Sequence, residues 1–542
     1  MEKGRVSYMS PKIQNEFISL TARVVRKSII EAVQERKYFS ILFDATPDTS
    51  HKEQLSQIIR TVNISTSGCF IEESFIDFIH FDKKKGLEIS KIILAKLKSD
   101  GIDIKHCRGQ GYDNGANMSG IYNGVQAHIK EANEFAVYMP CVAHSLNLVG
   151  QNAASKVLPA KLILGQIQSL YVFFSSSTER WNTLKPHVHK MLKSQSLTRW
   201  SSKADAVSAI CEDFKGILDA LQELINSETS NSETLASATA HLHQVSNFRF
   251  ILGITIWNSI LGRINFANVA VQAKEIDIGA AGKHMESLHI WLLEFRKNGY
   301  KISLELAKEK ALPLGIEEDS GFAYRSTRNR IPARYRDSES VVVEPSQESN
   351  ISRFEREFFL ALVDKLILEF QGRFTSLYRT QEDFGFLWGK TLADSPTEYL
   401  EKAAADLALK YNDDLSPEGL VTEIGRLRTA VIPFLKDENL QNLHSTRAID
   451  ILNILTRNNL ANVLYNCHTA IRIFLTLPVS VASNERSFSK LKLIKNYLRS
   501  TMGQERLSDL AILSIEHEKT ALLSFDTLIH EFATAKCRRV PI

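Results

Sequence analysis

Strand-forming segments crowd into the first 140 residues of this chain, whereas from about residue 205 to 440 the pattern is helical with almost no strand signal. A chain divided in this way folds as a layered α/β core accompanied by a large helical mass. Residues 12–36 read as a long helix, with Ile13, Phe17, Leu20, Val24, Ile29 and Val33 recurring at helical spacing. Tyr38 to Asp44 is a run of strand formers ending in an acid, and Pro47 with Asp48 reads as the following turn. Residues 55–64 and 69–80 are rich in β-branched and aromatic side chains and are separated by a Ser-Thr-Ser-Gly turn, so the first three strands make an antiparallel meander. A helix over 87–97, a fourth short strand and a helix over 124–132 follow.

Three acids stand at informative places in that pattern. Asp44 ends the first strand, and Asp113 lies where the fourth runs into the Gly/Asn-rich loop 109–120. Glu485 opens an amphipathic helix whose apolar face is Phe488, Leu491, Ile494 and Leu498, and whose Lys490, Lys492, Lys495 and Arg499 mostly fall elsewhere. A solvated helix face would give the same basic pattern. Two strand-borne acids together with a helix-borne one form the donor set for paired Mg²⁺ ions, which take oxygen ligands and sit ~3.5–4 Å apart to clamp an in-line phosphoryl displacement. Because 372 residues separate Asp113 from Glu485, a domain must be inserted between the last strand and the closing helix.

Six blocks, at residues 42–56, 109–120, 140–148, 173–177, 197–200 and 478–500, occur in an order that resembles the hAT superfamily of DNA transposases. The likeness is greatest to transposase-derived proteins related to the MYM-type and TTF-type zinc-finger genes. The resemblance implies an α/β RNase H-like core interrupted by a large all-α insertion domain. Its first part would be residues 1–204, the insertion 205–440, and the end of the core with a C-terminal dimerisation region 441–542. It further implies that Asp44, Asp113 and Glu485 are catalytic acids holding Mg²⁺ or Mn²⁺, that Cys141 and His144 are a Cys-x-x-His motif, and that Arg199 and Trp200 handle DNA. The implied partners are DNA and a second copy of the chain, in the nucleus. Such a protein either cleaves and transfers DNA or is a domesticated descendant, a catalytically silent dimerising scaffold that binds DNA or protein.

Composition supplies limits. With 24% charged residues and a net charge of only +4, bulk charge does not announce a nucleic-acid binder, so phosphate contacts must be local. Lys490, Lys492, Lys495 and Arg499 are one candidate; the arginines at 325–336 are either another or an ordinary solvated loop. Six cysteines with no CxxC pair argue against a disulfide framework and for a reducing compartment. Cys141 and His144 lack a second ligand pair, so a packed pair is favoured over structural zinc. No Cys or His precedes His51, so a zinc-binding recognition module is not read here. The N-terminus lacks an apolar signal region, and the apolar window 248–264 is interrupted by Arg249, Asn258 and Arg263, reading as a core helix rather than a membrane span. Near the C-terminus, Leu507, Leu510, Leu513, Ile515, Leu522, Leu523, Phe525 and Leu528 are more apolar side chains than two short helices can bury against each other.

Overall fold

The computed structural model describes residues 10–65, 67–196, 200–228, 230–322 and 349–535. Two compact units emerge. One comprises residues 1–145, 270–284 and 374–542, the other 146–269 and 285–373. The helical span expected at 205–440 thus shares 205–269 and 285–373 with the second unit, while 374–440 belong with the first.

The first unit is built on a five-stranded sheet: β1 (Phe39–Pro47), β2 (Glu53–Asn63), β3 (Phe70–His80), β4 (Cys107–Tyr112) and β5 (Val137–Pro140), in the order β3-β2-β1-β4-β5. The expected meander is present, since β1 pairs antiparallel with β2 and β2 with β3. Beyond it β4 lies parallel to β1, and β5 parallel to β4. Parallel neighbours require crossovers, which here carry the helices Gly86–Ser99 and Val125–Ala132. β5 has only four residues and was not legible as a strand. Central β1 is buried continuously from Phe39 to Phe43, as expected for a strand covered on both faces.

Helix Pro11–Arg36 starts at Ser10, whose hydroxyl accepts from Ile13 N at 3.4 Å, with Pro11 in the first turn where its missing N–H costs nothing. Its buried stripe is Ala22, Val25, Ile29 and Val33, so the half expected at Leu20 and Val24 is only partly covered. Edge strand β3 is shielded by the helix Gln504–Ile515 and the residue that caps it. Phe75 N donates to Glu516 Oε1 at 2.7 Å, and Phe78 O accepts from Gln504 Nε2 at 2.7 Å and from Ser508 Oγ at 3.2 Å. An exposed ladder that could template pairing with another chain is thereby occupied by side chains.

The described residues of the second unit contain helices and no strand. The apolar window expected as a core helix extends over Phe248–Val271, with Trp257 fully buried. That helix is long and apolar enough to cross a membrane by length and composition, yet 67% of its most apolar window is buried within the protein.

Candidate active site

Leu42, two residues before Asp44, is met by residues close in sequence to the other two acids. In the parallel ladder it pairs with Gly111 of β4, so Asp44 and Asp113, each two residues further along, stand at equal height and on the same face; Asp113 lies just past β4, whereas β1 runs three residues beyond Asp44 to Pro47, the residue expected in the turn. The glycines of β4 are needed for what covers them. A Cβ on Gly109 would lie 2.8 Å from Pro478 Cδ and 2.4 Å from Ser40 Oγ, and one on Gly111 would lie 3.0 Å from Pro478 Cγ. Pro478 therefore lies directly on β4, and the chain leaving it enters the helix Ala482–Ile494 that carries Glu485.

That helix is pinned beside the strand tips by its own polar residues. Asn484 Nδ2 donates to Leu42 O at 3.2 Å and to Ser56 O at 2.9 Å, while Ser487 Oγ and Ser56 Oγ are 2.8 Å apart. Ser56 is the register partner of Asp44. Glu485, between Asn484 and Ser487 in sequence, thus rises next to the Asp44–Ser56 row, with its carboxylate in the first helical turn where the macrodipole favours negative charge. Asp44, Asp113 and Glu485 are all half-buried. Asn484 and Ser487 escaped sequence reasoning; their signal was two polar residues, each four before a residue of the apolar face, Phe488 and Leu491.

Cys141 ties the acids together from behind. Its sulfur accepts from His144 N at 3.5 Å and from Val481 N at 3.4 Å, capping the first turn of Val142–Lys156 and the entry to Ala482–Ile494 at once. Burial pushes its thiol up to about 12, and the charges of Glu485 and Asp44 add to the rise. Tyr138 completes the group: its hydroxyl donates to Asp113 O at 3.4 Å, and burial followed by the charge of Asp113 raises its pKa.

The cationic residues divide. Lys490, Lys492 and Arg499 are exposed. Lys495, expected to contact phosphate, is instead buried and paired with Asp48 at 2.7 Å, the two side chains 3% and 0% exposed. The reason is that the helix ends at Ile494, which turns Lys495 inward and leaves Leu498, expected on the apolar face, 89% exposed. Asp48 is itself held by Ser50 N, Lys52 N and Gln54 Nε2; burial alone would raise its pKa, but these bonds and the ammonium bring it below the ordinary value. Arg199 and the arginines at 325–336 lie outside the described residues, as does the side chain of Trp200, the first residue of helix Trp200–Glu212.

An all-oxygen set of three carboxylates suits a hard divalent cation in kind. As the side chains stand, no group of three or more His, Cys, Asp or Glu among the described residues encloses an ion position. Asp44 Oδ1 accepts from Ala45 N at 2.8 Å and Asp113 Oδ1 from Gly115 N at 3.1 Å, turning one oxygen of each toward its neighbouring backbone.

Comparison with known proteins bears on this geometry. Residues 2–124 match the family described as "ZMYM1/FAM200, RNase-like domain", and residues 434–518 match "hAT family C-terminal dimerisation region". The first match takes in Asp44 and Asp113, the second Glu485. Over 534 residues the chain is 22% identical to the mouse (Mus musculus) protein named "52 kDa repressor of the inhibitor of the protein kinase", and over 528 residues 23% identical to the human (Homo sapiens) protein of that name. Each alignment covers 94% of this chain and 66% of the relative, so the chain spans just under two thirds of the length of these relatives. With an RNase-like domain match that takes in two of its acids and a hAT dimerisation-region match that takes in the third, the chain is similar at both ends to hAT-transposase-derived proteins.

Proposed function

We propose that this protein performs metal-dependent phosphodiester cleavage and strand transfer on DNA in the nucleus, from an RNase H-like core into which the helical unit is inserted. The observation that supports this reading is the shared attachment to Leu42: Gly111, two residues before Asp113, and Asn484, next to Glu485, both meet it. Asp44 and Asp113 would hold Mg²⁺ or Mn²⁺ between the strand tips, and Glu485 would complete the second ion's shell. Such ions, when bound, supply the Lewis acidity that activates a water or 3′-hydroxyl and stabilises the leaving oxygen. The chain's own part is to orient the donors: Asn484 and Ser487 fix the helix, and Cys141 fixes its entry.

A second reading is a domesticated, catalytically silent dimer that regulates through DNA or protein contacts. It is favoured by the relatives' names, which describe repressors, and by the absence of an ion-enclosing group among the described side chains. Cleavage of duplex DNA by the full chain, with Mg²⁺ or Mn²⁺ and with Asp113→Ala as control, separates the two. Cleavage that needs the divalent ion and falls to background in the variant supports the first. A wild-type chain that binds DNA as a dimer and leaves it intact supports the second.

A further inference from the structure

Immediately beside Asp113 lies a cavity of about 870 Å³ in the first unit, which the three acids do not use. Tyr138 belongs to both places. Its ring lines the cavity while its hydroxyl donates to Asp113 O. The walls combine cations, partly offset by Glu134 and Asp383, with aromatic rings. Lys130 and Arg379 are exposed at the rim, and Lys410, joined to Asp383 at 2.5 Å, adds a third cation. Aromatic surface comes from Phe135, Tyr138 and Tyr411, with Phe135 and Tyr411 stacked at 6.2 Å between centroids and 26° between planes. Tyr411 is only 1% exposed, yet its hydroxyl has no hydrogen-bond partner among the described residues, although a buried hydroxyl ordinarily has one.

Cations that track a phosphate chain, interleaved with rings on which bases stack, are the combination that holds unpaired nucleic acid. The volume lies within the ~300–1,000 Å³ of small-ligand pockets, room for one or two nucleotides and not for a duplex. The cavity runs along edge strand β5, with Phe135 just before it and Val137, Tyr138 and Pro140 on it.

We infer that this cavity is a subsite for single-stranded DNA, seating the unpaired nucleotides next to the phosphodiester presented to Asp113. Lys130 and Arg379 contact phosphates, and the half-buried rings of Phe135 and Tyr138 stack a base. The inference rests on the reading of the acids as a DNA-processing site for its direction, and its test is independent of catalysis. Fluorescence anisotropy of a labelled oligothymidylate is measured without divalent ions, in an Asp113→Ala background, for the full chain with and without Lys130→Ala and Arg379→Ala together. Both positions are exposed, so the fold is retained. The expected result is an affinity loss of about tenfold and a log–log salt dependence flatter by about 1.4, at ~0.7 for each single-strand phosphate that the variant leaves unneutralised. Duplex binding changes less than twofold. Single-strand affinity unchanged within twofold, or no single-strand binding by either protein, overturns the subsite. Failure of metal-dependent cleavage with these binding results intact overturns the catalytic reading and leaves the subsite standing.

Discussion

Single residues here carry more structural duty than their chemistry suggests. Cys141 looks like half of a metal site in sequence, but its thiol is buried, held in its protonated form and used as an acceptor for the first turns of two helices. His468 makes a testable case of the same kind. It is 8% exposed in helix Tyr465–Thr476, its Nε2 has no partner among the described residues, and burial, with Arg472 adding to it, lowers its pKa to about 4. Below its ordinary value of 6.5 the unfolded chain takes up a proton that the folded chain refuses. Stability is therefore fully present above 6.5 and drains away as pH falls toward 4. At about pH 5 the loss relative to about pH 7 is on the order of 2 kcal/mol from this residue. Urea midpoints for wild type and His468→Gln at those two pH values should diverge accordingly; parallel shifts would show that His468 already titrates normally in the folded protein.

At the scale of elements, the tips of β1 and of the Glu485 helix are clamped at a second point. Asp48 lies four residues beyond Asp44, and Lys495 ten beyond Glu485. Their buried pair is flanked by Thr49 Oγ1 donating to Lys495 O at 2.8 Å and Ser50 Oγ donating to Ser500 O at 2.6 Å. Removing one partner of a buried pair strands the other charge, so Lys495→Met alone should cost about 3–5 kcal/mol, and joint replacement with Asp48→Leu should recover much of that. A double-mutant cycle from denaturant unfolding measures it. Because the clamp joins the strand that bears Asp44 to the helix that bears Glu485, the single variant should also lose any metal-dependent cleavage.

For the whole molecule, the matched dimerisation region at 434–518 frames the question of assembly. The surplus apolar residues expected near the C-terminus partly find partners within the chain: Leu507 and Leu528 are buried, and Phe532 meets Phe17 edge-on at 5.5 Å. Leu522 and Phe525 remain 86% and 51% exposed. Exposed apolar side chains grouped this closely are what an unpaired interface presents. Light scattering should give about 122 kDa, twice the 61.1 kDa chain, and Leu522→Asp with Phe525→Asp should return the chain to 61.1 kDa. A wild-type monomer at micromolar concentration would show that this face serves something other than self-association.

The sequence by itself determined the meander, the long first helix, the position of Asp113 just past a strand and the helical start at Glu485, while it ended β1 at Asp44, three residues short of Pro47. Each of these is written in local periodicity and turn chemistry, within a few residues of where it acts. It did not determine β5, whose four residues are too few to show a period, nor the limits of the two units, which depend on contacts between distant segments. Lys495 is the clearest instance. Its spacing placed it among solvent-facing bases, and only the end of the helix at Ile494 and the waiting carboxylate of Asp48 turned it inward. The attachment of Gly111 and Asn484 to Leu42 likewise joins residues 69 and 442 positions apart, and no local pattern encodes it. Glycines on β4 permit the approach, and the tertiary structure alone decides that Pro478 is what approaches.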